Sequence, residues 1–251
     1  MLADERKQQI LEVLRRDGRV VAVELSTAFE VSEDTIRRDL RELAADGQLK
    51  RVHGGALPAV RSVGLPLAAR RHEAQDEKGA LARAAARLVA PGRVIVLDGG
   101  STNILLAEAL PPDLTGTVIT NSPGVALALS EHRALEVFLL GGKLVPREGT
   151  VAGPEAVDAL RNLRADLCVL GVCSLHPEHG LACHALDEAP VKRAMVASAA
   201  EVMALATADK LDSVAPHRIA PTSRLGRLVT SAPEARTEPY SALGVEVVRV
   251  G

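Results

Sequence analysis

Three groups of side chains in this 251-residue chain have the types and spacing to act on a ligand. The first is Ser32, Asp34, Thr35, Arg37, Arg38 and Arg41, with Lys50, Arg51 and His53 shortly after. Guanidinium groups three and four residues apart share a helix face, from which they can donate to base edges and phosphates. The second is Asp98-Gly99-Gly100-Ser101-Thr102, then Thr120-Asn121-Ser122, and later Lys192 and Lys210. Glycines let a backbone approach an anion, and hydroxyls beside the free N–H groups of a helix start can hold a phosphate. The third is Cys173, His176, His179, Cys183 and His184, crowded into a dozen residues. These are zinc-type ligands, although Cys-x2-His-x2-His-x3-Cys is not a usual finger spacing.

Each group has a plainer explanation. The arginines can be a solvated helix face, with Asp34–Arg38 and Arg38–Glu42 spaced for ion pairs. The glycine loop can be a strand-to-helix turn capped by Ser101, and 120–123 a capping turn. Most lysines are simply solvated, and the Cys/His stretch, SLHPEHGLACHA from Ser174, reads as a polar loop.

The surrounding pattern says what must position these groups. Ser32 is a good N-cap, and Glu33 and Asp34 put negative charge where a helix dipole favours it. Ile36, Leu40 and Leu43 follow at i, i+4 and i+7, one buried stripe opposite Asp34, Arg38 and Arg41, and Gly47 suits a helix end. Ile10, Leu11 and Leu14 mark an earlier helix starting near Asp4, and residues 23–29 a short second one. Residues 48–52 read as a strand and 53–55 as its turn, which together make a helix-turn-helix with a wing. Residues 57–67 carry prolines without a period and read as a hinge. Beyond them, apolar runs at 93–97, 117–120, 135–140, 166–171, 202–206, 227–230 and 245–250 alternate with Ala-rich helical stretches. That alternation predicts a parallel sheet covered by helices, with ligands at the carboxyl ends of its strands. The expected class is α/β: a winged helix-turn-helix over 1–57, a linker over 58–77 and a Rossmann-like parallel α/β domain over 78–251.

Bulk properties narrow the functions. Two Phe, one Tyr and no Trp leave too few aromatics to stack bases, which argues against readers of single strands or RNA. Residues 1–57 hold ten basic and eleven acidic side chains, so the basic character is local to 37–41 and 50–53. The loop at 98–102 is followed by neither a Walker Gly-Lys-Ser/Thr nor GxGxxG, so no nucleotide cofactor is expected. The start, MLADERKQQ, has no apolar signal core, and no apolar run reaches membrane-spanning length, so a cytoplasmic protein without membrane contact is expected.

The first domain resembles the DeoR family of bacterial transcriptional regulators at Arg6, Ile10, Ser32, Thr35, Ile36, Arg37, Arg38, Asp39 and Leu40, and in RVHGGA at 51–56. It departs at Ala22, where that family has Ser or Thr as a cap worth about 1 kcal/mol. The second domain resembles the DeoR sensor domain, related in fold to ribose-5-phosphate isomerase and glucosamine-6-phosphate deaminase. The matches are DGGST at 98–102, TNSP at 120–123, LGGKL at 140–144, the Glu188-to-Lys192 spacing, and Lys210. The resemblance implies a regulator, expected to be a repressor, that binds double-stranded operator DNA, and since helix-turn-helix heads usually pair across a pseudo-palindrome a homodimer or higher homo-oligomer is expected. It further implies control by a phosphorylated sugar-type effector held on the 98–102 loop. Lys192 falls where the isomerase has its catalytic glutamate, which speaks against isomerase chemistry. Thr207 and Asp209 replace the Asp and Ser of an Ala-Asp-x-Ser-Lys stretch, which leaves the effector's identity open. A metal-responsive regulator using the Cys/His stretch, and a sugar-phosphate enzyme with an appended helical domain, are the competing expectations.

Overall fold

The computed structural model describes residues 3–17, 19–45, 48–58 and 65–250. Gly47 and residues 59–64 of the expected linker lie outside them. The first domain runs α1 (Ala3–Asp17), β1 (Val20–Val21), α2 (Ala22–Ala28), α3 (Glu33–Ala45), β2 (Leu49–Val52) and β3 (Gly55–Pro58). The apolar stripes meet in one core: Ile10 and Leu14 of α1, Leu25 of α2, and Ile36, Leu40 and Leu43 of α3, with Leu49 and Ala56 beneath. The three strands form an antiparallel sheet in the order β1-β3-β2. The two-residue β1 is too short to show in a sequence pattern. It fits because position 55 is glycine, where a Cβ would sit 1.9 Å from the Val20 carbonyl oxygen. Arg6 crosses from α1 to Asp39 on α3 with Nε–Oδ2 2.6 Å and Nη2–Oδ1 3.2 Å, both side chains buried. This bidentate pair fixes the angle at which α3 is presented.

The second domain continues with α4 (Leu67–Arg70), α5 (Gln75–Ala86), β4 (Arg93–Leu97), α6 (Ser101–Ala109), β5 (Gly116–Thr120), α7 (Pro123–Ala128) and β6 (Leu135–Leu139). A hairpin follows, β7 (Lys143–Val145) and β8 (Thr150–Ala152), then α8 (Pro154–Arg161) and β9 (Ala165–Gly171). Next are β10 (Ser174–His176), β11 (Gly180–Cys183), α9 (Glu188–Ser198), β12 (Ala199–Ala206) and β13 (His217–Ala220). The chain closes with β14 (Arg227–Thr230), α10 (Glu234–Ala242) and β15 (Glu246–Arg249).

The seven apolar runs expected as strands are the seven members of one parallel sheet, ordered β15-β14-β12-β9-β4-β5-β6. One face packs on α5, α6 and α7 through Leu81, Ile104, Leu106 and Val125. The other packs on α8, α9 and α10 through Leu160, Val191, Met195 and Tyr240. Tyr240, the only tyrosine, is fully buried and donates from its hydroxyl to the Leu175 carbonyl at 3.0 Å. The chain builds outward from β4 to β6, then returns to place β9 on β4's other side. Strand order therefore reverses between β4 and β9, and a crevice opens at their carboxyl ends.

Two readings change. Residues 65–77, expected as linker, form α4 and the start of α5 and dock on the second domain: the Leu67 N–H donates to the Arg147 carbonyl at 2.7 Å. The stretch expected as a loop around the Cys/His cluster is a hairpin of β10 and β11, with Ser174 opposite Ala182 and His176 opposite Gly180.

Candidate functional site

α3 carries the candidate DNA-binding residues at its start and on its exposed face. Ser32 Oγ accepts the Thr35 N–H at 3.2 Å and contacts Thr35 Oγ1 at 2.9 Å, which caps the helix. Asp34, Arg37, Arg38 and Arg41 are exposed. The expected pairs of Arg38 with Asp34 and Glu42 do not form. Glu33 takes Arg37 at 2.7 Å, Asp34 lies 3.6 Å from the same guanidinium, and Glu42 pairs with Lys7 of α1 at 2.5 Å. Arg38 thus has no ion-pair partner among the described residues, and its guanidinium is exposed. On the wing, Arg51 and His53 are exposed, but Lys50 donates to the Val214 carbonyl of the second domain at 3.3 Å. Strand alternation puts Lys50 and Arg51 on opposite faces, so the two do not act as one patch here. Ala22, without a capping side chain before it, donates its N–H to the Gly54 carbonyl of the wing turn at 2.8 Å, and its methyl is buried.

The crevice between β4 and β9 is a cavity of about 670 Å³. The loop after β4 lines it with Gly99, Gly100, Ser101, Thr102 and Asn103. Gly100 precedes α6 at φ +117° and offers no side-chain cap, so the helix's first N–H groups are left for another acceptor. Gly99 must be glycine, because a Cβ there would lie 2.2 Å from Thr150 Cγ2. Lys210 lines the wall beyond β12, together with Thr207 and Asp209, whose side chains share a 2.5 Å hydrogen bond. The two exchanged residues therefore still make a hydroxyl–carboxylate contact. Burial pulls the Lys210 pKa below its ordinary value.

Other expected effector residues have structural posts. Asp98 is fully buried beneath the loop. Its Oδ1 accepts the Gly99 N–H at 2.8 Å and its Oδ2 the Gly171 N–H at 2.9 Å, and it pairs with Lys192. Lys192 forms part of the cavity lining and also donates to the Gly171 carbonyl at 2.9 Å. Burial works against its charge, but Asp98 and Glu188 outweigh burial and hold the ammonium protonated. Its charge is therefore spent on Asp98, and it braces the glycine loop after β4. Thr120, Asn121 and Ser122 are buried outside the cavity lining. Ser122 Oγ caps α7 through the Val125 N–H, Thr120 Oγ1 accepts the Ser122 N–H, and Asn121 donates to the Val151 carbonyl. Thr120 and Ser122 thus satisfy the loop and the start of α7, whereas Asn121 ties the loop to β8 and its Oδ1 is buried with no partner among the described residues.

The sequence reading missed Arg70, Lys78, Glu148 and Arg236, which the fold brings to the same cavity. No spacing signals them, because α4, α5, the β7–β8 turn and α10 are far apart along the chain.

The Cys/His group does not converge. Among the described residues no three His, Cys, Asp or Glu side chains are placed to hold a metal ion. The hairpin buries Cys183, whose thiol is pushed up to about 12, away from the thiolate a metal needs. His176 and His179 stack at 4.5 Å, and His176 Nδ1 accepts the backbone N–H groups of Glu178 and His179.

Comparison with known families decides what this pairing of domains is. The profile of the DeoR-like helix-turn-helix domain matches residues 6–59, and that of the DeoR C terminal sensor domain matches 73–232. The chain belongs to the DeoR family of transcriptional regulators. It is 38% identical to the HTH-type transcriptional regulator GlpR of Haloferax volcanii, over 99% of this chain and 98% of that protein. It is 33% identical to the HTH-type transcriptional repressor GlcR of Bacillus subtilis, over 92% and 89%. With the glycerol-3-phosphate regulon repressor of Escherichia coli it shares 30% identity over 93% and 92%. Ribose 5-phosphate isomerase A of Methanocaldococcus jannaschii aligns over 55% of this chain and 54% of its own, at TM-score 0.41 and 20% identity. As a DeoR-family member the protein is a DNA-binding regulator rather than an enzyme, and its α/β domain is the sensor.

Proposed function

We propose that this regulator represses genes of carbohydrate metabolism by occupying double-stranded operator DNA, and that a small phosphorylated sugar-type effector lifts the repression. The observation that carries the reading is the β4–β9 cavity, where the uncapped start of α6 meets Lys210 and Lys78. Helix N–H groups and ammonium groups around a space of about 670 Å³ suit one small phosphate ester. Two of the relatives above are named repressors, one of them of a glycerol-3-phosphate regulon. Thr35, Arg37 and Arg38 read the groove, while Ser32, Asp34 and Arg41 flank them and Arg51 and His53 hold the backbone. Gly99, Gly100, Ser101, Thr102 and Lys210 hold the effector.

Helix-turn-helix heads pair across pseudo-palindromic sites, which favours a homodimer or higher homo-oligomer. No helix among the described residues is long and apolar enough to cross a membrane, which suits a regulator working in the cytoplasm. An effector that binds the DNA-free arrangement better must release DNA, by linkage. The test is fluorescence anisotropy with the chain's own promoter region against random duplex, with and without a panel of sugar and polyol phosphates. Preference for the promoter, reversed by one ester, is expected. Equal affinity for both duplexes defeats the regulatory reading, and indifference to every ester defeats the effector reading.

A further inference from the structure

Residues 65–78 join the two domains, and they also wall the cavity: Arg70, Glu73, Ala74, Glu77 and Lys78 line the same space as the α6 start. α4 has no fully buried residue; Leu67 packs partly on the sensor core, and polar contacts hold the rest of the first part of this connector. Arg70 Nη2 pairs with Glu148 Oε2 at 2.7 Å. Lys78 Nζ donates to the carbonyls of Arg70 at 2.7 Å and Glu73 at 2.6 Å. Between them Ala74 is left-handed at φ 49°, a conformation a residue with a Cβ takes only when its surroundings impose it.

Two features show cationic capacity left over. Arg70 Nε is buried with no hydrogen-bond partner among the described residues, so only one edge of that guanidinium is used. Lys78 spends two of its three donors on carbonyls, and burial and then Lys210 lower its pKa. Lys78 and Lys210 thus repel one another across a space that an anion would stabilise.

We propose that Arg70 and Lys78 are effector-binding residues, so that the effector's anionic group is shared between the sensor domain and the connector. This rests on the reading of the cavity as a phosphate-ester site. A phosphate dianion has acceptor oxygens enough to take the α6 N–H groups and Lys210 on one side, and Arg70 Nε and the third Lys78 donor on the other. The effector is then itself the clasp that fixes the connector, and with it the direction in which the first domain leaves the sensor. Glu148 opposes it by competing for Arg70.

The test is hydrogen–deuterium exchange and calorimetry on the full chain with inorganic phosphate, glycerol 3-phosphate and ribose 5-phosphate. Binding is expected to slow exchange at 99–104 and at 67–80 together. Arg70→Gln is expected to weaken binding about tenfold and abolish the slowing at 67–80 alone. Glu148→Gln is expected to tighten binding a few-fold, a gain that misfolding cannot imitate, and the gain should vanish in the Arg70→Gln/Glu148→Gln double variant. Slowing confined to 99–104, or wild-type affinity in Arg70→Gln, overturns the proposal and leaves the phosphate-ester reading standing. Absence of binding and of slowing at 99–104 removes that reading, and this proposal with it.

Discussion

On α3, Arg37, Arg38 and Arg41 stand in water, and Arg37 keeps more than half of its side-chain surface exposed while paired to Glu33. Around the cavity, Lys78 and Lys192 are 5% and 4% exposed, and each donates to fixed partners, the carbonyls of Arg70 and Glu73 for Lys78, and Asp98 and the Gly171 carbonyl for Lys192. On the proposed function, one surface carries loose charge for a partner whose phosphates repeat along a line. The other then carries held charge for an anion that must be enclosed. Water screens the first, and salt weakens it steeply. Burial raises the stakes of the second, where an unmatched charge costs far more than a matched one contributes.

That contrast can be broken at either end. The largest effect is expected from Lys192→Met, which strands Asp98 in the floor of the cavity and costs about 3–5 kcal/mol of stability in urea unfolding of the full chain. A cost below about 1 kcal/mol would mean that Asp98 is not held as an ion, and the contrast between the two surfaces would shrink. Arg38→Ala comes next. It should cost about 1–3 kcal/mol of operator affinity and flatten sequence preference while leaving the urea midpoint unchanged. Loss by the same factor on all duplexes would move Arg38 from reading bases to holding phosphates. Ser32→Ala removes the cap of α3 and should cost about 1 kcal/mol, seen as earlier melting of the first domain only. The smallest effect is on pH dependence. The pKa values of Lys78 and Lys210 lie below the usual 10.5 in the free protein. An anion that binds their ammonium forms raises those pKa values, so ester affinity should fall as pH climbs through the lowered range. Affinity that is flat, or that rises with pH, would remove both lysines from the anion site.

The main sheet was legible because its strands are covered on both faces and so read as apolar runs, from Arg93–Leu97 to Arg227–Thr230. The sensor-domain strands that escaped, β7, β8, β10, β11 and β13, are three or four residues long and carry no measurable period. Helix α10 escaped because Pro239 sits inside it. The site divides the same way. Gly99 to Thr102 and Lys210 are signalled by their local chemistry and reach the cavity. Thr120 to Ser122 look alike in sequence, but Thr120 and Ser122 satisfy the backbone of their own loop and the start of α7, and Asn121 bonds the Val151 carbonyl of β8. Arg70 and Glu148 are 78 positions apart and become a pair only once the connector docks.

Tyr240 gives the molecule an optical property. With no tryptophan and one tyrosine, the chain's tyrosine emission comes from a single ring in the core of the sensor domain, its hydroxyl tied to Leu175 of β10. The first domain contributes nothing to that signal. Unfolding followed by intrinsic fluorescence will therefore report the sensor and be blind to the DNA-binding head, whose melting must be followed by its helical circular dichroism.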